Sequence, residues 1–112
     1  MRHHITEENP FGTLISGVID CSFLYSYIKA YKISATEIAV LKIRAKNLHY
    51  IKEWHPRYRA ADTDKPCIVV KQEGFYRLID GRHRMRKAIA ESRLRIPCYV
   101  LTPKEVLKFY RP

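Results

Sequence analysis

The pattern of apolar and polar residues divides the second half of the chain into two strands, a helix, a strand and a helix. Residues 67–70 form a continuous apolar run, typical of a strand buried on both faces. A polar turn leads into a second strand at 75–79, and the two strands are predicted to form a hairpin. A helical spacing of apolar residues predicts a helix over 82–92, and residues 96–101 predict a third strand. Thr102 followed by proline indicates a last helix. We therefore expect an α/β (α+β) fold, with a small mixed sheet flanked by helices.

The first part of the chain is less regular. Residues 1–9 are polar and lack periodicity, so they are predicted to form a loose leader. Residues 13–19 favour a strand, and a helical spacing of apolar residues from Phe23 onward favours a short amphipathic helix. We expect residues 1–30 to form an N-terminal extension of a strand plus a short helix, and residues 31–112 to form the domain itself. A length of 112 residues allows one compact core and is too short for two.

The charge balance indicates a class of partners. The chain has 21 Lys and Arg against 11 Asp and Glu, so its formal net charge is +10. This excess favours DNA, RNA or nucleotides, although a merely soluble basic surface carries the same charge. Between positions 42 and 59, cations alternate with aromatic rings, and the alternative there is an amphipathic helix with solvated lysines. The residues predicted to contact nucleic acid are Lys42, Arg44, Lys46, Lys52, Trp54, Arg57, Tyr58 and Arg59.

The predicted helix after the hairpin begins with a run of basic residues. The first turn of a helix has free backbone N–H groups and the positive end of the helix dipole, so a cation there costs about 0.3–1 kcal/mol. This helix opens with Arg82, Arg84, Arg86 and Lys87, plus His83. The simplest explanation is an anion bound on the helix N-terminus. Gly81 fits because it allows a positive φ and close approach of a phosphate; the alternative is a tight turn whose arginines point into solvent.

Three segments together resemble a known superfamily. An apolar strand at 66–70 is followed by Ile-Asp-Gly-Arg-His-Arg at 79–84 and by Ile-Pro-Cys-Tyr-Val at 96–100. This arrangement resembles the ParB N-terminal/sulfiredoxin superfamily, and in particular its small stand-alone members of phage and plasmid type. The resemblance implies a ParB/sulfiredoxin-like fold with CTP or ATP and Mg²⁺ bound at the residues matching Gly81 to Arg84. Sulfiredoxins have their reactive cysteine where this chain has Arg82, so reductase activity is not expected.

The resemblance leaves the function open between three classes. The first is a phosphate- or nucleotide-binding domain that contacts DNA through its basic surface. The second is a nucleotide-dependent enzyme, an NTPase, kinase, other phosphotransferase or nuclease, in which Asp80 is the catalytic residue as a Mg²⁺ ligand or general base. Asp80 is equally suited to capping the helix that follows or its turn. The third is a phage-type inhibitor that binds an acidic host protein.

The segment 34–54 has two interpretations. The Ser-x-x-Glu sequence from Ser34 has the form of a capping box, and apolar residues recur at helical spacing up to Ile51, which favours one long helix. Residues 32–38 also resemble the short strand that opens many domains of the superfamily, with a helix beginning near Ala45. Both interpretations predict a helix over the second half of the segment.

The cysteines and the apolar runs indicate the compartment. Three widely spaced cysteines without a C-x-x-C pair favour neither disulfides nor a zinc site, so we expect buried thiols in a reducing cytoplasm. No signal peptide and no run of about 18 apolar residues is present, so no membrane association is expected.

Overall fold

The computed structural model of the chain describes residues 2–5 and 17–111, with side chains from 21 to 109. Two short 3₁₀ turns precede the second helix: Val40–Lys42 follows the third strand, and Leu48–Tyr50 follows the fourth strand. In chain order the helices and strands are β1 (Arg2–Ile5), β2 (Gly17–Asp20), α1 (Cys21–Ala30), β3 (Thr36–Ala39), β4 (Ile43–Arg44), α2 (Pro56–Ala60), β5 (Cys67–Lys71), β6 (Tyr76–Asp80), α3 (Arg82–Ala90), β7 (Arg95–Leu101), α4 (Pro103–Leu107) and β8 (Tyr110–Arg111).

The larger sheet has five strands in the order β3-β7-β5-β6-β4. β5 pairs antiparallel with β6 and parallel with β7, while β4 is parallel to β6. β5 lies at the centre because its apolar run, residues 67–70, is buried on both faces, as predicted. The predicted order of strand, strand, helix, strand and helix is confirmed, and so is the α/β (α+β) fold with a mixed sheet.

A second sheet is formed by the two ends of the chain. β1 pairs antiparallel with β2, and β2 pairs antiparallel with β8. The prediction of a loose leader is therefore wrong for Arg2–Ile5, because pairing with β2 gives this polar segment its backbone partners. The rest of the predicted leader, and residues 13–16 of the predicted first strand, lie outside the described residues. The described strand is Gly17–Asp20, which overlaps the end of the predicted one.

Helix α1 packs on the larger sheet through its apolar stripe. Cys21, Leu24 and Ile28 are buried, and they form one cluster with residues of β5, β6, β7 and α4. Ile68 and Leu101 are among the sheet residues of this cluster. The amphipathic helix predicted after Phe23 is confirmed, although it begins earlier, at Cys21. The boundary after residue 30 stays a prediction, but the buried face of α1 shares its core with the sheet.

Between β3 and α2 the structure differs from the predicted helix. The strand interpretation is confirmed by β3, whereas the helix predicted to begin near Ala45 is wrong. Asn47 has a left-handed backbone with φ 61°, which a continuous α-helix does not allow. Ile43 pairs beside β6 and is buried there, and Leu41 on the predicted apolar stripe is 98% exposed. This segment is thus held by Ile43 in the sheet, and not by the apolar face of the predicted helix.

The other face of the larger sheet carries α3. Met85 and Ala88 of this helix are buried in a second cluster, together with Val69, Leu78 and Ile96 of the strands. This packing fixes the helix axis and with it the position of its first turn after β6. No helix in the described part of the chain is long and apolar enough to span a bilayer.

Candidate functional site

Helix α3 begins at a glycine that the local packing requires. Gly81 is the N-cap residue, with φ 108° and ψ 30°. A Cβ at this position would lie 2.6 Å from the Sγ of Cys67, so any side chain would overlap the thiol. The left-handed backbone adds strain for any residue with a Cβ. The turn and the contact with Cys67 therefore account for Gly81 without a ligand.

The first turn of α3 has backbone donors and no acidic residue. Gly81 has no side chain to cap the helix, and the first helical hydrogen bond runs from the Met85 N–H to the Gly81 carbonyl at 2.8 Å. The N–H groups of Arg82, His83 and Arg84 precede that bond, so they face the helix start. Together with the helix dipole, they produce a positive potential that favours an anion.

Arg84 and Asp80 are connected through Tyr25 of α1. The Tyr25 hydroxyl donates to Oδ2 of Asp80 at 2.5 Å, and Nη1 of Arg84 donates to the same hydroxyl at 3.5 Å. The same Nη1 donates to the carbonyl of Pro66 at 2.9 Å. Burial, followed by the hydrogen bond to Asp80, raises the pKa of Tyr25, so the hydroxyl stays protonated. Arg84, a predicted phosphate ligand, therefore uses Nη1 for acceptors within the protein.

Asp80 is buried, with 7% of its surface exposed. The capping role that its position suggested is wrong: Gly81 occupies the N-cap, and the hydrogen bond described for Asp80 comes from Tyr25. A Mg²⁺ ion on Oδ2 would have to displace this donor. Within residues 2–5 and 17–111, no group of three or more His, Cys, Asp or Glu is placed to hold a metal. A single buried carboxylate with a hydroxyl donor does not fit the open, multi-oxygen coordination of Mg²⁺.

His83 lies among positive charges. Its ring centroid is 5.5 Å from that of His55. Burial lowers the pKa of His83, and His55, Arg57 and Arg82 lower it further. All three of these neighbours are basic. Nδ1 of His55 accepts a hydrogen bond from the Arg57 backbone N–H at 3.1 Å, which makes His55 the N-cap of α2 and orients its ring.

Two other arginines of α3 contact the connection over residues 47–61, hereafter the 47–61 segment. Arg82 donates to the carbonyl of Asn47 at 3.2 Å. Arg86 lies 3.7 Å from the carboxylate of Glu53. Part of the basic charge at the start of α3 therefore has acceptors within the protein, so the run of basic residues does not by itself require an anion.

Lys87 holds the end of the 47–61 segment. Its Nζ donates to the carbonyl of Ala61 at 2.9 Å and to that of Arg59 at 3.2 Å. The ring of Tyr58 lies 6.0 Å from the same ammonium. Tyr58 thus faces α3 and is half-buried, so it is poorly placed to stack on a nucleic-acid base.

The residues predicted to contact nucleic acid do not share one helix. They are distributed over the first 3₁₀ turn, β4, the connections and α2. All of them except Tyr58 are exposed. The guanidinium of Arg44 lies 4.3 Å from the centre of the Phe75 ring, and Trp54 is 72% exposed. The set is a basic solvent-facing surface rather than the face of a single helix.

The cysteines are buried, as predicted. Burial raises the pKa of Cys67 to about 11 and that of Cys98 to about 12. Both thiols therefore stay protonated near neutral pH, which makes them poor nucleophiles.

Sequence reasoning missed Tyr25 and His55 as members of this site. Tyr25 lies 55 residues before Asp80, and a contact across that distance has no local pattern. His55 precedes Pro56, and a residue before a proline at a helix start is a candidate N-cap. That signal was available, but the predicted longer helix concealed it.

Comparison with known proteins supports the fold. No protein-family model matches the sequence, and no curated protein matches it. Sulfiredoxin from Arabidopsis thaliana has a similar structure, with a TM-score of 0.51 and 21% identity over 66% of this chain and 92% of that chain. The prediction of a ParB/sulfiredoxin-like fold is thereby confirmed.

Two further solved structures align less well. A free serine kinase in complex with AMP gives a TM-score of 0.45 and 22% identity over 62% of this chain and 31% of that chain. The C-terminally truncated chromosome-partitioning protein ParB from Caulobacter crescentus, complexed with CTP-γ-S, gives a TM-score of 0.43 and 18% identity over 66% of this chain and 48% of that chain. At these values, neither alignment bears on the function of this chain.

Proposed function

We propose that the start of α3 binds a phosphate group, carried by a nucleotide such as CTP or ATP or by a nucleic-acid strand. The observation that carries this function is the set of basic groups around His83. His55, Arg57 and Arg82 each lower the pKa of His83, while the first turn of α3 adds backbone donors and no acid. A phosphate would offset this repulsion and accept from the backbone donors.

Each group has a separate role in the proposed complex. The N–H groups of the first turn donate to phosphate oxygens, and Arg57 and Arg82 supply charge. Arg84 and Arg86 add charge from positions fixed by Pro66 and by Glu53. A bound dianion raises the pKa of His83, which reverses the effect of its basic neighbours. Anion binding and protonation of His83 therefore strengthen each other.

Nucleic acid is the second candidate carrier of the phosphate. Trp54 is 72% exposed on the 47–61 segment, and its ring centroid is 6.1 Å from that of His55. An exposed indole beside a phosphate site offers a stacking surface for an unpaired base. The exposed side chains of Lys52, Arg57 and Arg59 belong to the same segment and supply charge along a strand.

Catalysis through Asp80 is the less favoured alternative. A general base needs contact with the substrate proton, and Asp80 is buried with its Oδ2 bound to Tyr25. The geometry therefore supports binding more than turnover. An Asp80→Asn variant that loses magnesium-dependent hydrolysis, kinase or nuclease activity present in the parent protein would reverse this preference.

Sulfate tests the anion site directly, because it stays a dianion across the range in which histidine titrates. Near-saturating sulfate should raise the melting temperature, and more so at about pH 5.5 than at about pH 8, since protonated His83 favours the anion. Arg57→Gln should reduce the rise, and His83→Gln should reduce its pH dependence. Lys104→Gln, on exposed α4, is the matched control and should change neither. Phosphate, ATP and CTP then identify the carrier.

The anion site is refuted if none of these four ligands raises the melting temperature at low salt. A rise that survives both Arg57→Gln and His83→Gln also refutes it, because the anion then binds elsewhere on the basic surface.

The salt dependence of DNA binding tests the second carrier. Each phosphate contact contributes about 0.7–0.9 to the log–log slope of affinity against salt, so Arg57→Gln with Arg59→Gln should flatten the slope by about one to two units. Trp54→Ala should cost about 1–3 kcal/mol for single strands and little for duplex DNA. Lys104→Gln is again the control. Binding that is absent at about 50 mM salt excludes nucleic acid as the carrier. Single-strand binding that Trp54→Ala leaves unchanged excludes base stacking on Trp54.

A further inference from the structure

An apolar groove lies between α3 and the chain from β3 to the second 3₁₀ turn. Its volume is about 550 Å³, and its lining includes Ile43, Arg44, Leu48, Met85 and Ile89. Met85 at the floor is 1% exposed, because it also belongs to the core under the sheet. The floor of the groove is thus part of the packed core.

One exposed leucine lines this groove, and a second lies on a segment that contacts its wall. Leu41 lines it and is 98% exposed, and Leu94 is 84% exposed. The backbone N–H of Val40 donates to the Leu94 carbonyl at 2.9 Å, so the segments carrying the two leucines meet. Single exposed apolar residues are common, but several around one apolar recess indicate an interaction surface.

The charge around the groove selects the kind of partner. The two segments that line the groove, residues 40–48 and 85–89, contain five Lys or Arg and no Asp or Glu. Arg44 is itself in the lining, and Lys42 and Lys46 are exposed on either side of it. An occupant must therefore combine apolar side chains with negative charge.

We infer that this groove binds an amphipathic segment of a partner protein, with apolar side chains on one face and Asp or Glu beside them. An amphipathic helix fits such a groove by its anchors at positions i, i+3, i+4 and i+7. A second copy of the chain is disfavoured by the net charge of +10 on each copy. A membrane surface would contact the exposed Leu41 and Leu94 but would leave the recessed Met85 uncovered.

A displayed library of random 16-residue peptides, selected at physiological salt against the full chain, tests this surface. Enriched peptides should be acidic and have apolar residues at helical spacing. Leu41→Ser should weaken their binding about tenfold or more, because it removes an apolar side chain that a bound peptide would bury, without changing the charge. Leu107→Ser, at an exposed leucine of α4 outside the groove, should change it less than twofold. Lys46→Glu should weaken binding, and Lys104→Glu should weaken it less.

The methyl group of Met85 reports whether the groove is occupied. The chain has two methionines, so a methyl-labelled sample gives a readily assigned signal at the groove floor. Selected peptides should shift this signal. Peptides that bind Leu41→Ser as tightly as the parent, or that leave the Met85 methyl unmoved, overturn the inference. The inference is also overturned if the protein alone, without peptide, self-associates or binds vesicles of anionic lipid and Leu41→Ser abolishes that binding.

Discussion

Tyr25→Phe removes the hydroxyl that donates to the buried carboxylate of Asp80. The substitution keeps the ring and its packing, and Arg84 keeps its bond to the Pro66 carbonyl. A hydrogen bond to a charged group contributes about 1.5–3 kcal/mol, and an unsatisfied buried carboxylate adds to the cost. With Asp80 only 7% exposed, we expect a loss near 2 kcal/mol in the free energy of unfolding. The melting temperature should fall by about 8 °C.

Urea unfolding of Tyr25→Phe measures this loss, and Tyr31→Phe is its control. Tyr31 lies on the turn after the same helix and is 70% exposed, so its substitution should leave the free energy of unfolding unchanged. A double-mutant cycle with Asp80→Asn then isolates the pair, and the double variant should lose less stability than the sum of the two single losses. A cost below about 0.5 kcal/mol for Tyr25→Phe, or additive losses in the cycle, would show that Tyr25 does not hold Asp80.

Two further substitutions test the packing and the electrostatics of the fold. Gly81→Ala should lower the free energy of unfolding by about 3 kcal/mol or more, since its Cβ meets the Cys67 thiol and its φ is positive. Gly74→Ala, with φ 81° and open space, should lower it by about 1 kcal/mol. Equal losses in urea unfolding would contradict the overlap with Cys67. Burial raises the pKa of Glu105, but hydrogen bonds from Tyr27 and the Thr102 cap outweigh it, so the net shift is downward from 4.5. Glu105→Gln should therefore lose stability at neutral pH, and the difference from the parent should vanish as the pH falls through the folded-state pKa; a difference that persists in acid would refute this assignment.

The part of the fold that local sequence determines was predictable. Residues 67–70 are apolar without interruption because their strand is central, and Thr102 with Glu105 forms a complete capping box at α4. The segment after β3 was not predictable, since Ile43 has the same apolar character whether it lies on a helix stripe or beside β6. Only the pairing partner, far away in sequence, decides between them.

The candidate site also has a part that the sequence predicted and a part that it did not. Gly81 and the basic residues after it were visible as a strand-to-helix turn with basic residues at the helix start. Their partners were not, because Tyr25 reaches Asp80 from α1 and His55 reaches His83 from the N-cap of α2. These contacts depend on how the helices pack on the sheet, and the spacing of residues along the chain does not predict that packing.

The attachment of the 47–61 segment to α3 has a consequence for motion. Ile51 is the one buried side chain within this segment, so hydrophobic burial contributes little to holding it in place. Side-chain bonds from Arg82, Arg86 and Lys87 hold it instead, and these are weak individually. We therefore expect the segment to open as a unit, with amide hydrogens that exchange far faster than those of β5. Each opening would carry His55 and Arg57 away from the first turn of α3, so the proposed phosphate site would be complete only while the segment is attached.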